Sequence, residues 1–441
     1  MEISAIYELY RKCGGKVTTD SRAIKGGEMF IALKGENFDG NEYALKALEA
    51  GASYAMVNAG TAAAQSGDPR MIVVEDTFIA LKALANHHRN SVMVNGERLT
   101  VIGLTGTNGK TTTKELIRSV LSAKYRVTAT EGNLNNDIGV PLSLLKINDS
   151  TELAVIEMGA NHPDDILHLV EVCEPDCGLI TNVGKAHLLG FGSFDGVKRA
   201  KGQLYDFIAG HGGKVFVNVD DENISGMASS RDGLSLIPYG MDFQNASLLP
   251  ITPEHPYLRI ELDGRVISTN LVGSYNAMNV LAAICVGSHF EVPFEDAVAA
   301  VEAYVPANSR SQMMKTEKNT LIMDAYNANP SSMSAALDNF LAVQAENKVA
   351  LLGDMRELGE GSVQEHVNIL KKIAEGDYTV YLVGTEFRKA MESEGAIANV
   401  KAVFDSSEAL AEHLKQNPVE GSCVLVKGSR GIQMEKTVPC L

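Results

Sequence analysis

The run Val101-Ile102-Gly103-Leu104-Thr105-Gly106-Thr107-Asn108-Gly109-Lys110-Thr111-Thr112-Thr113 constrains this chain more than any other feature: an apolar strand, a glycine turn and a helix-forming stretch in immediate succession. Glycines let backbone N–H groups converge on phosphate oxygens, and the helix N-terminus adds positive potential. Lys110 can then neutralise β/γ-phosphate charge, and Thr111 can ligate magnesium. The spacing departs from the strict phosphate-loop pattern, because Leu104 stands where the first glycine belongs, with Gly103 one place off and Gly106 inside the loop. Strand, Gly-Lys-Thr and helix nevertheless agree, so the segment is read as a nucleotide-binding loop. Such a loop sits in an α/β domain built on a mostly parallel sheet.

The surrounding rhythm fits that fold class. From Leu99 onward, apolar strands at 99–104, 153–158 and 178–183 alternate with long helical stretches. Residues 257–262 and 266–271 read as an antiparallel extension before an apolar helix at 275–287. The turn-rich Tyr304-Val305-Pro306-Ala307-Asn308 ends this unit, after which strands at 320–324, 348–352, 378–383 and 422–426 open a second doubly wound unit. Before residue 85, short runs at 53–57 and 71–74 and a helix-like 43–50 make a small α/β unit, with 60–69 as a loop. A chain of 441 residues has room for three domains at roughly 150 residues each. The expected division is 1–85, 86–307 and 308–441.

Composition removes several functions. With 39 basic and 55 acidic residues the net charge is -16, which argues against a polyanion-binding face and hence against nucleic acid as a partner. The longest nearly uncharged apolar stretch, 277–287, is well short of the ~20 residues of a membrane span. Met1-Glu2-Ile3-Ser4 lacks a basic region followed by an apolar run, so a cytoplasmic location is expected. The six cysteines are scattered, and only Cys173 and Cys177 are close; they read as buried thiols.

A phosphate loop needs a partner acid at the end of a neighbouring strand, and Glu157, directly after Leu153-Ala154-Val155-Ile156, fits. By the same topology His187, after Gly184-Lys185-Ala186, should reach the same sheet edge. Lys201 lies in a helical stretch with Lys198 and Arg199 and has two readings. It is either part of a solvated basic face or a buried lysine with a depressed pKa, neutral enough to take up carbon dioxide and become an anionic carbamate ligand.

Gly106-Thr107-Asn108-Gly109-Lys110-Thr111 resembles the ATP loop of the Mur ligases, which shares the Leu104 departure, and the likeness extends over essentially the whole chain. The segments 132–141, 326–330, 353–359 and 427–430 are similar to the branch of that family that joins UDP-N-acetylmuramoyl-tripeptide to D-alanyl-D-alanine. The resemblance implies a small N-terminal UDP-binding domain, a central ATPase-type domain and a C-terminal Rossmann-like domain that closes over the nucleotide. It implies ATP and Mg2+ as cofactors; a monomer is the expected working state. Ser21 and Arg22 match the uridine-nucleotide motif, and Asn133, Asn135 and Asn136 match a substrate-facing segment. Glu157 and His187 match magnesium positions beside Thr111, and Lys201 matches a lysine carbamylated in many members. Lys110, His187 and Lys201 are the expected catalytic residues. Gly106, Thr107, Asn108, Gly109, Lys110, Thr111 and Thr112 make the ATP loop. Asn276 and Asn279 match adenine-side residues, Arg310 and Asp324 match phosphate and ribose contacts, and Tyr326, Asn327 and Asn329 follow in the same loop. Tyr275 stands where the family usually has histidine, and Ser309-Arg310 replaces the commoner glycine-arginine pair.

The implied reaction is peptide-bond formation through an acyl phosphate, yielding a peptidoglycan precursor. The nearest alternatives are a sister Mur ligase or folylpolyglutamate synthetase, against which 132–141 and 326–330 speak. A GTP-hydrolysing switch expects an Asn-Lys-x-Asp guanine motif, but Asn347-Lys348 is followed by Val349-Ala350. A non-catalytic binder of UDP-peptides would gain nothing from keeping Lys110, Glu157 and Lys201 together.

Overall fold

A computed structural model describes residues 1–306 and 310–441. Its centre is a six-stranded, all-parallel sheet in the order Ser235–Tyr239, Lys214–Asn218, Cys177–Ile180, Thr100–Thr105, Leu153–Glu157, Val127–Ala129. The strand Thr100–Thr105 is flanked by Cys177–Ile180 on one side and Leu153–Glu157 on the other, so the direction of winding reverses around it. Ligands bind at the carboxyl edge of such a reversal. That edge carries the glycine loop.

The loop runs into the helix Lys110–Ser122, which packs against the apolar helix Ala277–His289. The latter is buried on nearly all sides, as a helix without a polar face must be. A Cβ at Gly287 would lie 2.4 Å from Val120 Cγ1, so glycine sets this close approach. The antiparallel extension is shorter than the sequence suggests, with strands Arg259–Leu262 and Arg265–Ser268. Asp263 and Gly264, both at positive φ, make the tight turn between them.

The N-terminal unit is a four-stranded parallel sheet, ordered Val17–Thr18, Met29–Ile31, Tyr54–Asn58, Met71–Val74. The first two strands and the helix Ile3–Lys12, which buries Ile6 and Tyr10, had no counterpart in the sequence reading. The helix Thr77–Ser91, capped by Asp76 through the amides of Phe78 and Ile79, runs through the expected boundary at 85 and joins one apolar core with the central unit.

The C-terminal sheet has the order Gln312–Lys315, Thr320–Asp324, Cys423–Lys427, Lys348–Gly353, Thr379–Val383, Val400–Phe404, parallel except for the first strand. Both edge strands escaped the sequence reading because they are only half-buried and lack an apolar run. The boundary expected at 307–308 lies outside the described residues. The six cysteines are unpaired, and all but the half-buried Cys440 are buried. No helix among the described residues is long and apolar enough to cross a membrane.

Arg89 ties the N-terminal and central units together. Fully buried, it donates to the carbonyls of Leu99 (2.8 Å), Cys173 (3.0 Å) and Glu174 (3.0 Å) and to Asp176 (2.7 Å). Arg89→Met removes the donor from three carbonyls while roughly keeping the volume, and should cost about 3 kcal/mol or more in a denaturant titration. A loss within about 0.5 kcal/mol would show that the hub is not a structural tie.

Candidate active site

The loop geometry admits only glycine at two positions. Gly106 has φ +150 and a Cβ there would fall 1.9 Å from Thr181 Oγ1, while at Gly109, φ +77, it would fall 2.8 Å from Asn279 Oδ1. The end of the neighbouring strand holds the loop in shape. Thr107 N donates to Asn182 O (3.0 Å), Asn108 N to Asn182 Oδ1 (2.9 Å), and Thr181 Oγ1 to Asn108 O (2.7 Å). Asn182, unremarked in the sequence, is thus a scaffold of the loop; its place just past the strand Cys177–Ile180 was the available signal.

Positive charge is concentrated here. Lys110 Nζ donates to Gly106 O (2.9 Å) and Thr107 O (3.1 Å), and Lys201 Nζ reaches the same Gly106 O at 2.8 Å. Lys201 is 3% exposed, so the solvated-face reading of its helix fails for this residue, although Arg199 does point to solvent. Burial, then the neighbouring Lys110, holds the Lys201 ammonium well below its usual range. Burial also lowers Lys110, with Glu157 opposing and Arg310 adding to the shift. Lys114, one turn on from Lys110, is fully buried between the Thr130 carbonyl and Glu115. Its position four residues after Lys110 was visible in the sequence but suggested no role.

Glu157 is the acid at the centre, 1% exposed. Its Oε1 accepts from Asn135 Nδ2 (2.8 Å) and Thr111 Oγ1 (3.3 Å), whereas Oε2 accepts no hydrogen bond and lies 3.8 Å from Lys114 Nζ. A buried carboxylate oxygen with a free lone pair beside a threonine hydroxyl fits a hard cation. Among the described residues no group of three or more His, Cys, Asp or Glu side chains is placed to hold a metal ion, so a cation on Glu157 and Thr111 would need further ligands, water and substrate oxygens among them, as magnesium takes. His187, at φ +51, pairs through Nδ1 with the Glu357 carboxylate. Burial pulls its pKa below the usual value, and Glu357 opposes that shift.

A cavity of about 690 Å3 joins these groups to the C-terminal unit. Its wall includes Thr107, Asn108, Gly109, Lys110, Thr112, Asn133, Asn135, Asn136, Glu157 and His187 from the central unit, and Asn276 and Asn279 from the start of the apolar helix. Arg310, Asp324, Tyr326, Asn327 and Asn329 face it from across the gap. Gly106, Thr111 and Lys201 stand directly behind the wall. Ser21 and Arg22 do not reach it; they lie on a short turn of the N-terminal unit, where Arg22 pairs with Asp20 at 2.9 Å. The asparagines form a chain, Thr113 Oγ1 to Asn279 Oδ1 (2.9 Å) and Asn279 Nδ2 to Asn276 Oδ1 (2.8 Å).

The C-terminal groups are held firmly. The Arg310 guanidinium stacks on Tyr326 at 3.6 Å from the ring centre. Asp324 pairs with the buried Lys427, its register neighbour on the adjacent strand, which the sequence reading quoted without a role. Asn329 caps the helix Pro330–Ala342 and turns its Nδ2 to Asn108 Oδ1 (2.8 Å), while Asn108 Nδ2 donates to Ser331 Oγ (2.9 Å). The loop and the C-terminal unit therefore touch directly. Tyr275, in the place of the family's histidine, donates to or accepts from Ser311 Oγ at 2.9 Å across the same junction.

Known proteins share this architecture. Family models match along the chain: the catalytic domain of the Mur ligase family over residues 16–89, the Mur ligase middle domain over 104–287 and the Mur ligase glutamate ligase domain over 309–430. The UDP-N-acetylmuramoyl-tripeptide--D-alanyl-D-alanine ligase of Bacillus subtilis (strain 168) is 33% identical over 96% of this chain and 92% of its own length. Its namesake from Escherichia coli (strain K12) is also 33% identical, over 96% of this chain and 93% of its own length. Among solved structures, MurF from Acinetobacter baumannii superposes with a TM-score of 0.84 at 30% identity, covering 98% of this chain and 97% of that one. The Thermotoga maritima MurF ligase in complex with ADP gives 0.81 at 25% identity, with 96% of each chain covered. With family models matched to all three units and a relative 33% identical over 96% of this sequence, the chain belongs to the Mur ligase family.

Proposed function

We propose that this protein is an ATP-dependent ligase that joins D-alanyl-D-alanine to UDP-N-acetylmuramoyl-tripeptide, making the pentapeptide precursor of peptidoglycan. The observation that carries the reading is the single cavity in which the phosphate loop and Glu157 face Arg310, Asp324 and Tyr326. The names of full-length relatives supply the substrates.

A carboxylate is a poor electrophile, so the tripeptide's terminal carboxylate first attacks the γ-phosphate of ATP, forming an acyl phosphate and releasing ADP. The amine of the dipeptide then adds to the acyl carbon, and phosphate leaves through a tetrahedral intermediate. The first step brings two anions together. In this reading the amides from Gly106 to Thr112 and the Lys110 ammonium hold the phosphates and offset that repulsion. Asn276 and Asn279 take the adenine side. Arg310 and Asp324 contact phosphate and ribose, with Tyr326, Asn327 and Asn329 closing that wall. Asn133, Asn135 and Asn136 orient the peptide end, and Ser21 and Arg22 hold the uridine diphosphate end on the N-terminal unit. Thr111, Glu157, His187 and a carbamylated Lys201 would hold Mg2+, which when bound supplies positive charge to the phosphoryl oxygens. The acyl phosphate must be kept from water, and the contact of Asn329 and Ser331 with Asn108 is suited to excluding it. One chain builds the whole cavity, so a monomer suffices, acting in the cytoplasm where ATP is supplied.

Phosphate release from ATP is expected only when both UDP-N-acetylmuramoyl-tripeptide and D-alanyl-D-alanine are present, with a product heavier by the dipeptide less water. Silence with both the lysine and the diaminopimelate tripeptide, despite ATP binding, would sink the reading. Asp324→Asn should raise the KM for ATP by about tenfold, the worth of a charged hydrogen bond; an unchanged KM and kcat would remove the C-terminal unit from nucleotide binding. Lys201→Ala should lower kcat by about a hundredfold or more, on the scale of losing one group that stabilises developing charge. Full turnover of that variant in bicarbonate buffer would exclude the carbamate.

A further inference from the structure

His366 is fully buried on the helix Ser362–Ala374, behind the cavity wall, and takes no part in the chemistry above. Both of its ring nitrogens are engaged. Nδ1 lies 2.7 Å from the Ser362 carbonyl, which can only accept, and Nε2 lies 3.0 Å from the Met355 amide, which can only donate. These partners admit one form of the ring, neutral with its proton on Nδ1. The Phe387 ring packs edge-on against it, with centroids 4.7 Å apart.

The bond to Met355 holds a short loop. From Asp354 to Arg356 each amide has its own acceptor: the Val383 carbonyl (2.9 Å) for Asp354 N, the His366 ring for Met355 N and the Ser429 hydroxyl (2.9 Å) for Arg356 N. Only the middle acceptor can titrate. The chain then turns through two residues at positive φ, Glu357 at +65 and Gly359 at +63, and lands on the central unit. Glu357 pairs with His187, and its carbonyl accepts from Leu189 N at 3.3 Å. A Cβ at Gly359 would lie 3.4 Å from Leu189 Cδ1. The helix that carries His366 reaches the same stretch, because Glu365 accepts from Lys185 Nζ at 2.8 Å. Residues 185–189 are therefore clasped by two elements of the C-terminal unit, and the His366 ring ties one to the other.

We propose that His366 is a positioning residue for ligation: by accepting the Met355 amide it holds the loop 355–359 against residues 185–189 and so keeps water from the acyl phosphate. The assignment rests on the ligase reading above and adds to it a group that touches no substrate. Protonation would undo the tie, since a proton on Nε2 would face the Met355 N–H. The Asp354 carboxylate, 3.7 Å from Nε2, offers that new N–H another acceptor. Burial lowers the pKa of the ring. The Ser362 carbonyl opposes the shift, as do carboxylates facing the ring from the loop (Asp354), from the helix Thr385–Glu394 (Glu386) and from its own helix (Glu365). The tie is thus made at neutral pH and is lost as the pH falls through a value below the ordinary histidine range.

The test is the amount of phosphate released per peptide bond formed by the full chain, because an acyl phosphate reached by water returns the carboxylate and phosphate with no bond made. No ligation by the wild type would overturn the ligase reading and this assignment together. Two variants separate positioning from packing. His366→Gln places an acceptor that does not titrate near the Nε2 position, whereas His366→Asn keeps a donor for Ser362 and falls short of Met355. At about pH 8 the wild type and His366→Gln should stay near one phosphate per bond, and His366→Asn should release about twofold more, with its KM for ATP within about twofold of wild type. As the pH is lowered the wild-type ratio should climb and that of His366→Gln should stay level. Should His366→Asn not fold, this pH comparison decides alone. Equal ratios in all three proteins, or equal rises in both variants, would overturn the assignment and leave the ligase reading standing. So would nitrogen NMR shifts that put the His366 proton on Nε2 at neutral pH, or a wild-type ratio that stays level while those shifts show the ring taking up its second proton.

Discussion

The feature on which the rest of the site depends is a cluster of buried lysine amines around one glycine turn. Lys110 and Lys201 share the Gly106 carbonyl, and Lys114 lies behind them against Glu157. Glu157 is the one buried carboxylate beside Lys110 and Lys114, and burial with Lys110 nearby makes a positive charge on Lys201 costly. The protein lowers that cost with backbone carbonyls, which solvate an ammonium without neutralising it. The result is a region of positive potential at the carboxyl edge of the sheet, inside a chain whose net charge is -16. A chain that acidic repels polyanions at long range, so only a ligand small enough to enter the cavity meets the lysines.

Which parts of this were legible in the sequence follows from what kind of physics set them. The loop, Glu157 and the three strands nearest the loop could be read because strand-to-loop order and glycine geometry are local, and register then carries Glu157 beside Leu104. The edge strands Gln312–Lys315 and Val400–Phe404 could not, because an edge needs no apolar run. Lys201 was undecidable from its helix alone: its neighbours Lys198 and Arg199 are basic too, and only tertiary packing turns one of the three inward. Asn182 and Lys427 were missed for a related reason. Each acts through a partner far away in sequence, Asn182 on Asn108 and Lys427 on Asp324, and no local pattern marks such a pair. The site roles themselves came from resemblance; the spacing supplied only the candidates.

The junction between the central and C-terminal units is built to a different standard from the cores it joins. Beside the cavity its contacts are mostly polar, Asn108 with Asn329 and Ser331, Tyr275 with Ser311, Lys185 with Glu365 at 2.8 Å and His187 with Glu357, while Val272 and Tyr257 add a small apolar contact to the C-terminal core. Exposed ion pairs of the Lys185 kind are worth about 0–1 kcal/mol, and neutral hydrogen bonds about 0.5–1.5 kcal/mol each. The N-terminal junction is the opposite case, a continuous apolar core with Arg89 locked inside it. One end of the central unit is thus welded and the other latched. A ligase that proceeds through a water-sensitive acyl phosphate needs that asymmetry, because the wall that excludes water during reaction must also release ADP, phosphate and product afterwards. A junction as apolar as the N-terminal one would hold the site shut. A latch in which Asn108 of the phosphate loop holds Asn329 and Ser331 can instead be strengthened by whatever fills the loop and weakened when the loop empties.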